Sequence, residues 1–221
     1  WVAARQEGQV STAAMYIDAR LTNEGLSMRV YNLVGATHGV SNLSLRRLKV
    51  SRFSKLNDPF ELLAADLLDR RDKTALEKMK EQLDQSSAII CFSESWHSPL
   101  LWGHYAESHT GIALGFDVPD DYLIKVKYTT NRPKINFDTT TRKVIDGQAV
   151  VERLISTKFS HWEYENEQRM FVKLDETYDE SGNHFVDFGE RLQLREVILG
   201  VKCSLPIERV RKLVEREMPP V

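Results

Sequence analysis

Three clusters of polar and aromatic residues have types and spacings that could do chemistry. The most informative is Trp162-Glu163-Tyr164-Glu165-Asn166-Glu167-Gln168-Arg169. Read as a strand, it puts Glu165, Glu167 and Arg169 on one face, because side chains alternate. On a solvated face these charges make an ordinary ion-pair ladder of little worth. Facing a cleft they make a site, in which Arg169 holds one carboxylate ionised while the other meets a ligand. Trp162 and Tyr164 alongside favour the ligand pocket.

The second cluster is Cys91-Phe92-Ser93-Glu94, followed by Trp102-Gly103-His104-Tyr105-Ala106. Ser93 and Glu94 leave the C-terminal end of a buried strand, where sites gather in sheet proteins. On a helix, Trp102, Tyr105, Ala106 and His109 share a face, as a core stripe with a polar tip would. His104 lies off that face, and His109 before Gly111 suits a helix C-terminus. Neither has a second ligand at metal-site spacing, so no metal is expected there. The third cluster, Asn57-Asp58-Pro59-Phe60-Glu61, reads as a capped helix start.

The elements that position these clusters follow from periodicity. Strands are expected at Arg29–Val34, Ala88–Phe92, Ile112–Phe116, Tyr122–Tyr128, from about Glu167 through Val172, at Phe185–Phe188, and at Glu196–Gly200. Gly35 and Gly39 mark a turn, with a helix or strand pair through Leu43–Val50. Helices are expected after Asp58, through Leu76–Leu83 after a break at Asp69–Lys73, at Leu100–His109, at about Lys143–Lys158, and after Pro206. Neighbouring strands recur without helices between them. The expected fold is therefore α+β, with a mixed, mainly antiparallel sheet and peripheral helices. Residues 1–27 read as a polar extension before a single domain at 28–221.

Composition bounds the function. With 221 residues, 30 Lys plus Arg against 32 Asp plus Glu and a net charge of −2, no global basic field draws the chain to nucleic acid or membrane. Its two cysteines, Cys91 and Cys203, sit in apolar runs and suit free thiols in a reducing cytoplasm. No apolar run is long enough for a membrane span. Oligomeric state is not legible.

The three clusters, in order and spacing, together with Glu196-Val197-Ile198-Leu199-Gly200, resemble a bacterial family called domain of unknown function 2971, over about residues 29–215. A more distant resemblance is to the ADP-ribosyltransferase fold, whose signature is split over three strands: a His, Arg or Tyr, then a Tyr or Ser, then a Glu within Glu-x-Glu. That resemblance implies NAD as a substrate, Tyr31 in first place, Ser93 or Tyr105 in second, and Glu165-x-Glu167 in third. Glu167 would be the essential carboxylate and Glu165 its support. Trp102, Tyr105 or Trp162 would sandwich the nicotinamide, with Arg169 beside the nucleotide. It implies a toxin or phage-defence effector with a macromolecular target. Two alternatives stand beside it. Asp58, Glu94, Glu165 and Glu167 could converge on Mg²⁺ in a nuclease. The cleft could instead bind a nucleotide or peptide without catalysis.

Overall fold

The structure, a computed structural model, describes residues 15–18, 26–58, 70–131, 135, 137–138, 140 and 144–217. In chain order its elements are β1 (Met15–Asp18), β2 (Ser27–Val34), α1 (Ala36–Leu45), β3 (Arg47–Lys49), α2 (Arg70–Ser86), β4 (Ser87–Ser93), α3 (Pro99–Tyr105), β5 (Ile112–Pro119), β6 (Leu123–Lys125), β7 (Lys127–Thr129), α4 (Gly147–Ile155), β8 (Thr157–Phe159), β9 (Glu167–Lys173), β10 (Tyr178–Glu180), β11 (Asn183–Asp187), β12 (Gln193–Leu199) and α5 (Ile207–Glu217). The fold is α+β, as expected.

The main sheet has seven strands in the order β1-β12-β5-β2-β4-β9-β6, every pair antiparallel. One face buries Val30, Ile90, Phe92, Leu114, Phe116 and Val172 against α5, β3 and α1. The other face is covered in two parts. Leu76 of α2 and Val150, Leu154 and Ile155 of α4 pack on Ile89. Trp102 and Ala106 pack on Leu33, Ala113 and Ile198. Each fully buried side chain of this size contributes about 1.5–3 kcal/mol.

The sheet is parted in the middle. β2 pairs with β5 along all its residues, and β4 with β9 along all of its own, but β2 and β4 pair only at Tyr31 and Ser93. Beyond that pair the two strands diverge.

Several local expectations change. Gly39 is not a turn residue but lies inside α1, where an added Cβ would come 2.2 Å from Ile112 Cδ1. The close approach of helix to strand, rather than backbone freedom, requires glycine there. The expected Tyr122–Tyr128 strand breaks into β6 and β7, which join different sheets. The helix expected to reach His109 stops at Tyr105, and Glu107, Ser108 and His109 then run left-handed at φ 47°, 56° and 74°. The charged stretch expected to break a helix instead begins α2 at Arg70. The stretch expected as a polar extension contributes β1, paired with β12. Residues 59–69, where a helix after Asp58 was expected, lie outside the described residues.

Candidate functional site

Glu167 opens β9 and pairs in register with Ser93, the last residue of β4, which pairs in turn with Tyr31 of β2. The same row continues through Gly115 of β5 to Glu196 of β12. In-register residues of an antiparallel sheet point to one face, so the row aligns Glu196, Tyr31, Ser93 and Glu167 on the side that carries α3. Glu165 is not on the strand. It ends a 3-10 turn at Ser160–Glu165, and Asn166 follows in the left-handed region at φ 42°. The expected strand alternation is therefore broken, yet the reversal brings the Glu165 carboxylate back beside that of Glu167.

Lys158 of β8 joins the two acids. Its Nζ donates to Glu165 Oε2 at 2.6 Å and to Glu167 Oε2 at 3.0 Å, and it lies 4.9 Å from the Trp162 ring centre. Arg169 grips Glu167 with Nε at 2.8 Å and Nη2 at 3.1 Å, while its Nη1 donates to the Ile155 carbonyl at 2.7 Å. Lys158, Glu165, Glu167 and Arg169 are all buried, so water screens these pairs little. Two acids balance two bases, and the desolvation cost of each buried ion is offset by its partners.

The acids are not equivalent. Burial opposes the charge of Glu167, but Arg169 and Lys158 outweigh it and hold its carboxyl down at about 2. Burial pushes Glu165 above the usual carboxylate range despite Lys158. Glu165 also accepts from the Tyr105 hydroxyl, which burial and the Glu165 charge keep protonated far above the ordinary phenol range. Asn57 Nδ2 donates to that hydroxyl at 2.7 Å. The Glu167 backbone N–H donates to Tyr128 Oη at 2.8 Å, and burial pushes that phenol up to about 12.

Where β2 and β4 part, a cavity of about 520 Å³ opens. Asn32–Val34 line it from one strand and Ile90–Phe92 from the other, so residues from both faces of the sheet contribute. These stretches would pair if the ladder continued past Tyr31 and Ser93. Here the Asn32 amide donates to the Cys91 carbonyl at 3.1 Å instead. Tyr31, Ser93, Tyr105, Lys158, Glu165 and Glu167 all line the cavity.

The remaining candidates lie elsewhere. Trp102 is 3% exposed, and its indole donates to the Trp96 carbonyl at 2.6 Å, which makes it a core residue of α3 outside the cavity lining. Trp162 backs Lys158 rather than the cavity, and Arg169 lies behind Glu167. Ser93 donates to the Glu165 carbonyl at 2.6 Å, which orients the 3-10 turn. The Tyr31 ring lies over Gly115, whose Cβ would come 3.1 Å from it, and its hydroxyl reaches Glu196 at 3.4 Å. Glu94 binds Gln168 and Lys125, away from the acid pair. Among the described residues no group of three or more His, Cys, Asp or Glu is placed to hold a metal ion.

Lys158 and Asn57 were not legible as site residues. Lys158 stood at the tail of an expected helix, and Asn57 looked like part of a helix cap. Neither carries a local signal, because each meets its partner only through the fold.

Residues 101–170 match the family described as protein of unknown function DUF2971. The match spans α3 to the start of β9 and so includes Tyr105, Lys158, Glu165, Glu167 and Arg169. No curated protein and no solved structure matches the chain. No helix of the described residues is long and apolar enough to cross a membrane.

Proposed function

From this arrangement, with its partial match to a family without an assigned activity, we propose that the cleft between β2 and β4 is the active site of an NAD-using, ADP-ribosyltransferase-like enzyme. The observation that carries the reading is the row Tyr31–Ser93–Glu167 on three adjacent strands, at the point where the sheet opens into a cavity. The strand edges in the cleft offer backbone donors and acceptors to a planar amide such as nicotinamide. Cleaving the ribose–nicotinamide bond leaves the electron pair on nicotinamide and positive charge on the ribose, which a buried carboxylate stabilises.

Lone-pair capacity divides the roles. Glu167 already accepts from Arg169 twice, from Lys158 and from the Cys91 thiol, which fills the roughly four acceptor sites of a carboxylate. Glu165 accepts from Lys158 and Tyr105, leaving room for a ribose hydroxyl. In this reading Glu165 meets the substrate and, with its raised pKa, handles the proton of the incoming hydroxyl. Glu167 positions Lys158 and Glu165. The setting implied is a cytoplasmic effector, a toxin or phage-defence protein, that modifies a macromolecule where NAD is plentiful.

The test is incubation of the pure protein with labelled NAD, following nicotinamide release and label transfer. Wild type releases nicotinamide, and Glu165→Gln slows release about 10²–10³-fold. No release, no transfer and no NAD binding by wild type would end the proposal. The saturation of Glu167 favours one second reading, a non-catalytic nucleotide- or peptide-binding module. A Glu165→Gln variant that keeps the full cellular effect of wild type selects it.

A further inference from the structure

The cavity has two chemically different ends. Among the described residues its lining carboxylates are Glu165 and Glu167, at the end beneath α3. Through the parted strands it continues to the opposite face, where α1 supplies His38, Ser41 and Asn42, β3 supplies Lys49, and β11 supplies Asn183 and Phe185. Among the described residues no carboxylate lines this second end.

Asn42 is the telling residue. It is only 7% exposed, yet its side-chain amide makes no hydrogen bond among the described residues, and it lines the cavity. The amide is reachable from the cavity rather than sealed in the core, so a ligand held there can accept from it. Lys49 lines the same cavity and has no ion pair among the described residues. The side chains that α1 and β11 supply at this end, His38, Ser41, Asn42, Asn183 and Phe185, include no acid to neutralise it.

We infer that this end is an anion subsite for the phosphates of a nucleoside diphosphate. The Asn42 amide and Ser41 hydroxyl donate to phosphate oxygens, Lys49 supplies the opposing charge, and His38 and Asn183 complete the rim. The inference deepens the proposed function and rests on it in taking the cleft as the ligand site. It adds the ligand's charge and direction: sugar toward Glu165, phosphates toward α1.

Calorimetric titration with ADP, adenosine and inorganic pyrophosphate tests it. ADP should bind at least about tenfold more tightly than adenosine, the size of one charge-assisted hydrogen bond. Pyrophosphate should compete with ADP, and added salt should weaken ADP but not adenosine. Lys49→Glu, at an exposed position that does not threaten folding, should abolish the preference. Asn42→Leu should reduce it several-fold at unchanged thermal stability. Equal affinity for ADP and adenosine overturns the inference, and so does an ADP preference that survives Lys49→Glu. The two proposals fail separately. ADP bound in this way without NAD cleavage defeats the enzyme reading alone, and NAD cleavage without a phosphate preference defeats the subsite alone.

Discussion

Among the described residues, two networks that each join two acids to two bases lie on one face of one sheet, at opposite ends of a single row. At one end Arg29 Nε donates to Asp117 at 2.6 Å, Arg195 donates to Asp117 at 2.8 Å, and Arg29 also pairs with Glu196. At the other end Lys158, Glu165, Glu167 and Arg169 form the cluster beside the cavity. The first is partly wet, with the Arg29 side chain 30% and the Asp117 side chain 22% exposed. The second is dry, with no side chain above 5%. Its acids are driven apart, one well below and one above the ordinary carboxylate range. Charge count is therefore not what marks a site. Burial beside a cavity, with one acid saturated and the other not, is.

Removing one cation from each network tests the contrast most strongly. Arg169→Leu leaves Glu167 with a single cation and should cost about 3–5 kcal/mol in urea unfolding. Arg195→Leu, in the wetter network, should cost about 1–3 kcal/mol. Equal costs would erase the distinction.

Acid titration separates the two carboxylates of the dry cluster. Glu167, held at about 2 against an ordinary 4.5, contributes stability that is complete above pH 4.5 and lost as pH falls toward 2. That contribution is on the order of 3 kcal/mol. Glu165 has the opposite sign: its raised pKa costs stability at neutral pH, and the cost is relieved as pH falls through its folded value. Wild type should therefore gain slightly on mild acidification before losing stability, and Glu165→Gln should lack that early gain. A Glu165→Gln profile superimposable on wild type would remove the asymmetry.

The smallest expected effect is at the aromatic surface outside the cluster. His104 is exposed and stacks on Tyr164 at 6.0 Å between ring centroids. His104→Ala should change stability by no more than about 0.5 kcal/mol and leave NAD turnover intact. A large loss of turnover would extend the site beyond the cavity.

Much of the fold was legible because its signals are local. Ala88–Phe92 is a short, wholly apolar run, and β4 is buried along nearly all its length. Leu76, Met79 and Leu83 repeat at helical spacing, and all three pack in the cluster under α2. The strand at Gln193–Leu199 extends the apolar run from Glu196 to Leu199. The misreadings share a cause. At Gly39 and at Tyr122–Tyr128 the outcome depends on what packs against the segment, which its own residues do not encode.

The sequence by itself determined that Ser93 ends a buried strand and that Glu165, Glu167 and Arg169 stand close enough in the chain to interact. It also determined an α+β fold, because hydrophobic period and chain punctuation are properties of neighbouring residues. Only the tertiary structure decided that β2 and β4 touch at one pair and then part, that Lys158 stands between the acids, and that Asn42 looks into the same opening from the far face. Those facts rest on contacts that no local pattern encodes, such as the pair Tyr31–Ser93 between distant segments of the chain, and the energy that selects them comes from burial and charge pairing that do not exist until the sheet has formed.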